Sequence, residues 1–169
     1  MARRVFFSFH YDDIWRVNQI RLCRAVTQTA SNDFIDKAAW ESIERKGFAA
    51  VTAWIDRQLV GTGVTVILIG EQTARRTYVK YEVEESYRRG NGLLGIYING
   101  VRDQKRQRGR KGLNPLDRIS VSRLETFLLW EQTVERRLSE IYPTYNWIDD
   151  NGYQNIGKWI SDAAIRAGR

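Results

Sequence analysis

Between residues 64 and 98 the chain passes through three hydrophobic patterns in succession. VTVILI (64–69) is a continuous apolar, β-branched run closed by Gly70, with no clearly polar face, as expected of a strand covered on both sides. From Ala74 the spacing turns helical: Val79, Val83, Ser86 and Tyr87 gather on one face, and Gly90-Asn91-Gly92 ends the helix. LLGIYI (93–98) is a second apolar run. Strand, helix and strand predict one βαβ unit.

The flanking chain repeats this alternation. Residues 4–9 (RVFFSF) predict a first strand, followed by the polar cluster HYDD at 10–13. Asp12 or Asp13 can cap the next helix, whose apolar side is Ile14, Val17, Ile20 and Leu22. Residues 27–32 (TQTASN) read as a loop, and Phe34 and Ile35 as a short strand ending at Asp36. Trp40, Ile43, Gly47, Ala50, Val51, Trp54, Ile55 and Leu59 recur at helical spacing, predicting one helix over 40–59 that Gly61 and Gly63 close. Residues 116–140 are less regular: Phe127, Leu128, Leu129 and Trp130 form a short apolar run, and the ERR at 135–137 fits either a helix end or a hairpin. YNWI (145–148) predicts a last strand, and residues 153–167 a last helix carrying Ile156, Trp159, Ile160, Ala163 and Ala164 inward. Strands separated by helices imply an α/β fold with a parallel sheet covered on both faces. Ligands of such sheets sit at the carboxyl ends of the strands, where SFHYDD, the Asp36 region and GEQT (70–73) would converge.

Composition narrows the classes. A chain of 169 residues, 43% hydrophobic, with six Trp, eight Tyr and six Phe, is one domain with a sizeable core. No apolar run reaches the ~20 residues a membrane helix needs, and acids follow the first apolar run too soon for a signal peptide, so a soluble, cytoplasmic protein is expected. Cys23 and His10 are single, which excludes a disulfide framework and a Cys/His zinc site; Cys23, among Ile20, Leu22 and Ala25, reads as core. The net charge of +7 is local, because residues 102–111 (RDQKRQRGRK) hold +5 of it. That loop carries no aromatic for base stacking, so it reads as a solvated or partner-facing insertion rather than a nucleic-acid site.

No dinucleotide-fold, P-loop or hydrolase-elbow motif is present, and the central strand runs into Gly70-Glu71-Gln72 without the phosphoacceptor Asp of a receiver domain. On the central helix, Glu84 has Lys80 and Arg88 four residues to either side and Glu85 has Arg89 at i+4, so both read as surface ion pairs. Glu82 has Tyr78, Ser86 and Glu85 as its helical neighbours, and no cation on its own helix neutralises it. It borders the apolar stripe, about 60° round from Val79. An unpaired acid at the rim of a buried face is a candidate functional carboxylate, with a merely solvated glutamate as the plain alternative.

VFFSFHYDD, FIDKAAWE, VTVILIGEQTA, RRTYVKYEVEESY, GNGLLGIYING, KGLNP and YNWIDDNGYQNIGKWISDAAIRAGR together resemble the bacterial TIR-like family typified by the Thoeris anti-phage proteins. The resemblance runs over residues 4–169 and is weakest over 116–140. It implies an α/β, flavodoxin-like (TIR) three-layer fold, in a single domain over 1–169 with a basic loop at 102–111 and an irregular insertion at about 116–140. In that family the helix after the central strand carries an aromatic residue and then a catalytic glutamate; Tyr78-Val79-Lys80-Tyr81-Glu82 matches, with Tyr78 where tryptophan is commoner. The resemblance thus implies Glu82 as the catalytic residue, with Ser8, Phe9, His10, Asp36, Trp40 and Tyr78 binding substrate. Phe9 and Trp40 have plain readings as core, Ser8 as a turn residue and His10 as a loop residue.

The activity implied is cleavage of the nicotinamide N-glycosidic bond of NAD, followed by cyclisation of the ADP-ribose. NAD is then substrate, with no cofactor and no metal; the implied partners are NAD, a homo-oligomer and a separate effector that reads the product. One carboxylate suits this reaction. The departing nicotinamide is already cationic and needs no general acid, so the paired carboxylates of ordinary glycosidases are unnecessary. What needs stabilising is an oxocarbenium-like ribose, beside which a glutamate places negative charge. The alternative class is a non-catalytic TIR-like module that signals by homotypic assembly.

Overall fold

The computed structural model describes residues 3–31 and 37–169. The elements run β1 (Arg3–Ser8), α1 (Ile14–Arg21), α2 (Arg24–Thr29), β2 (Ala30–Ser31), α3 (Lys37–Glu44), α4 (Phe48–Leu59), β3 (Val64–Ile69), α5 (Thr77–Arg88), β4 (Gly92–Tyr97), β5 (Ser120–Phe127), β6 (Trp130–Arg137), α6 (Leu138–Ile141), β7 (Thr144–Asn146) and α7 (Gly152–Arg166). Five strands pair in parallel in the order β2-β1-β3-β4-β7, the doubly wound arrangement in which consecutive crossovers place helices on both faces.

All six residues of β3 are buried, and alternation divides them between two layers. Val64, Val66 and Leu68 face α1, α2 and α7 in one cluster with Val17, Ile20, Val26, Ile156, Trp159 and Ile160. Ile67 and Ile69 face α5, packing with Val79, Val83, Leu93 and Leu116. Thr65, the one hydroxyl in this run, donates to Ser86 Oγ at 2.8 Å and so enters the core with a partner. Phe6 of β1 packs with Val51, Ile55 and Leu59, which sets α4 beside α5 on that second face. Burying Trp159 and Ile160 of α7 alone contributes on the order of 3–6 kcal/mol.

Several expected elements differ. The helix expected over 40–59 is two, α3 and α4, because Gly47 takes φ +96°, a left-handed backbone closed to other residues without strain. Gly47 falls at a stripe position, so hydrophobic spacing carries straight through the break. Residues 27–31, expected as loop, finish α2 and form β2; the strand expected at Phe34 and Ile35 lies outside the described residues. Leu22, expected inward, is 63% exposed just beyond the end of α1. Asp13 occupies the N-cap position of α1 without a side-chain capping bond, and instead accepts from Arg16 Nη1 at 3.3 Å. The helix expected from Ala74 opens with a 3-10 turn at Thr73–Arg75 before α5 begins.

The stretch expected to be irregular contains an antiparallel hairpin, β5 and β6, followed by the short α6. Leu124 and Leu128–Trp130 of this hairpin are exposed, so no interior enforces a strong period-2 pattern there. The basic segment has no regular structure but is strapped down. Arg16 donates to Val101 O at 2.9 Å and Gln107 O at 3.2 Å, Gln19 to Arg102 O at 2.8 Å, and Gly109 N to Asn99 O at 2.9 Å. A side chain at Gly112 would collide with the carbonyl of Gly70, so glycine allows the segment's end to close onto the end of β3.

Candidate active site

Glu82 lies on α5 where that helix passes the carboxyl end of β1. Its place beside Val79 and Val83 turns it toward the sheet, and Trp40 of α3 and Trp54 of α4 line the same hollow that it faces. Glu82 is therefore 6% exposed, not at a rim as the helical pattern alone suggests. Ser8, the last residue of β1, is fully buried and donates its Oγ–H to Glu82 Oε2 at 2.5 Å. No ion pair reaches Glu82 among the described residues. Burial pushes its carboxyl up to about 8 from an ordinary 4.5, with the Ser8 hydrogen bond pulling the other way.

In front of Glu82 opens a hollow of about 250 Å³ at the carboxyl end of β1. Of the residues expected at the site, Glu82, Phe9, His10, Trp40 and Tyr78 line it. Ser8 does not: it stands behind the carboxylate and acts on the hollow only through it. Asp36 lies outside the described residues. The walls are aromatic. Trp40 is stacked on Tyr11 at 5.7 Å between centroids and meets Trp54 and Tyr78 edge-on at 5.5 and 5.8 Å. Trp40 is thus both core and wall, since it also packs against the cluster of Val51 and Ile55. Near the mouth are Lys37, paired with Glu41 at 3.8 Å, and Arg76, just ahead of α5. Tyr11 lines the hollow too, within the SFHYDD cluster expected at this edge, and Phe6, Trp54 and Arg76 are lining residues outside the segments expected there. Trp54 had a signal in its place on the helical stripe; Arg76 had none.

Such a site can hold a flat cation between rings and set one carboxylate against it. The described residues contain no group of three His, Cys, Asp or Glu able to hold a metal ion. No helix of the described residues is long and apolar enough to cross a membrane.

Residues 6–103 match the description of the Thoeris protein ThsB, TIR-like domain, and so take in the second half of β1 with Ser8, together with Glu82 and the aromatic walls. A protein of Bacillus cereus (strain MSX-D12) designated a cyclic ADP-D-ribose synthase, ThsB1, is 32% identical over 193 residues, covering 95% of this chain and all of the relative. The chain belongs to the ThsB family of Thoeris TIR-like proteins. The TIR-like match ends two residues into the strapped basic segment, so in this ThsB-family chain the rest of that segment and the hairpin lie beyond the matched residues.

Proposed function

We propose that this chain cleaves the bond between nicotinamide and ribose in NAD and closes the ADP-ribose into a cyclic signal, with Glu82 as the catalytic carboxylate. The observation that carries the reading is the chemistry of Glu82: a buried acid without a cationic partner among the described residues, held by Ser8, facing an aromatic-walled hollow. The name of the Bacillus relative supports the cyclic product.

In the empty site the carboxyl holds its proton near neutral pH, because burial disfavours the anion. The positively charged nicotinamide ring, entering between Phe9, Tyr11, Trp40 and Tyr78, supplies the missing counter-charge, and the proton leaves to solvent. As the C–N bond breaks, its electron pair goes to the ring nitrogen and the positive charge moves onto the ribose. Glu82 then lies against that charge, and Ser8 keeps the carboxylate oriented. A nucleophile from the adenylate half bonds to the same carbon and gives a cyclic product; water there gives linear ADP-ribose. A cytoplasmic setting, an oligomer and an effector that reads the product belong to the same proposal.

The test is incubation of the purified chain with NAD, alone and with infected-cell lysate, against Glu82→Gln. The parent releases nicotinamide, and the variant releases it at least ~100-fold more slowly. Equal turnover by both would remove Glu82 from the chemistry; no turnover by the parent under either condition would favour the assembly module.

A further inference from the structure

A second hollow, of about 390 Å³, lies over the carboxyl ends of β1, β3 and β4 and shares His10 and Asp12 with the hollow of Glu82. We propose that it takes the adenylate half of the dinucleotide, with the phosphate on Arg108 and Arg110 and a hydroxyl or amino donor on Asn99 Oδ1. The proposal rests on the NAD reading and adds the subsite that grips the end of the substrate remote from the bond that breaks.

Asn99 follows β4, and its two oxygens have different fates. The backbone oxygen accepts from Gly109 N at 2.9 Å, which fixes the basic segment above the strand ends. The side-chain Oδ1 is buried beside the hollow with no hydrogen-bond partner, and a ligand donor would satisfy it. Anchoring Gly109 also places its neighbours Arg108 and Arg110 on the wall of the hollow. Neither arginine makes an ion pair or side-chain hydrogen bond among the described residues, in contrast to Arg16, whose guanidinium is spent on Asp13, Asp103 and backbone carbonyls. Two guanidinium groups without partners suit a phosphate.

Acids on the same wall limit what can bind. Asp12, 3.0 Å from His10 Nε2, and the exposed Glu71 bring the balance near neutral, which disfavours a polyanion such as a nucleic-acid backbone. A mononucleotide, with one phosphate and several hydroxyl and amino donors, presents both kinds of group at once.

Calorimetric titration of the full chain with AMP tests this without turnover. AMP is expected to bind and to compete with NAD for nicotinamide release, and Arg108→Ala with Arg110→Ala to weaken AMP binding about ten-fold or more. The control, Arg102→Ala with Lys105→Ala, removes the same charge from the same segment away from the hollow, and should leave AMP affinity within about two-fold. Equal losses in both pairs, or no AMP binding by the parent at millimolar concentration, overturn the subsite. A parent that binds AMP through Arg108 and Arg110 yet releases no nicotinamide sinks the NAD-cleavage reading and leaves the nucleotide subsite standing.

Discussion

One turn apart on α5, two glutamates are buried to nearly the same degree: Glu82 is 6% exposed and Glu85 5%. Their surroundings divide them. For Glu85 burial alone would raise the carboxyl, but Arg88 and Arg89, donating at 2.9 and 2.7 Å, outweigh it and hold the group below the ordinary carboxylate range. Arg89 also reaches Asp56 at 3.4 Å, and Tyr81 donates to Asp56 at 3.0 Å, so this end of α5 is clamped to α4 by charge. Among the described residues Glu82 has only Ser8 as a side-chain partner. The lesson is that burial marks neither acid as functional; the missing cation does. Both were expected nearer the surface, and the Glu85 carboxylate proves to be buried, with Arg88 and Arg89 reaching it from the solvent side.

The largest effect expected from this contrast is on turnover. Glu82→Gln should abolish nicotinamide release, as above, whereas Glu85→Gln should keep most of it. The two should also differ in the sign of their stability changes with pH. The folded value for Glu82 lies above its unfolded value of 4.5, so the parent loses stability as pH rises from there to about 8. Removing the charge should therefore raise the melting temperature of Glu82→Gln over the parent at pH 9, with the gap closing by pH 5. A variant that melts lower at both pH values would show that the Ser8 hydrogen bond outweighs the burial cost.

Next in size is Ser8→Ala. Losing a hydrogen bond that favours the anion should move the rising limb of kcat/KM to higher pH by about one unit, and cut the rate at pH 7 about ten-fold. The same rate lost at every pH would mark Ser8 as packing alone. Glu85→Gln comes third: it leaves Arg88 and Arg89 without their acceptor, but both still reach water, so a cost of about 1–2 kcal/mol is expected in urea unfolding at pH 7. Because the folded Glu85 lies below 4.5, that difference should vanish as pH falls through the acid range. Glu84→Gln, which loosens only the exposed pair with Lys80 at 3.7 Å, should change stability by a few tenths of a kcal/mol and turnover not at all. A larger shift there would mean that simple charge removal explains the other two.

The sequence carried the βαβ unit and α7 clearly, because continuous burial and a five-residue stripe leave little freedom in assigning them. It also separated Glu82 from Glu84 and Glu85 by cations four residues away, a local relation that needs no fold. What it could not convey depends on the third dimension. The break at Gly47 shows only as a dihedral angle, and it is this break that folds α3 back on α4 and brings Trp40 against Trp54. The same pair of helices walls the hollow that Glu82 lines. Ser8 could be placed at a strand end but not behind the carboxylate, since β1 and α5 are seventy-odd residues apart in sequence. Arg108 and Arg110 read as solvated charge until Gly109 is seen tied to Asn99.

The position of α7 in the chain has a consequence for how the molecule is born. The hollow before Glu82 is lined entirely by residues before position 83, yet the opposite face of the sheet, already met by Val17, Ile20 and Val26 of α1 and α2, is completed only when α7 supplies Ile156, Trp159 and Ile160. A ribosome adding roughly 5–20 residues per second needs several seconds to travel from β4 to α7. Throughout that interval the layer that holds Leu94 and Ile96 lacks the share α7 brings, and the first folding partners of that half-covered face are whatever the cell offers.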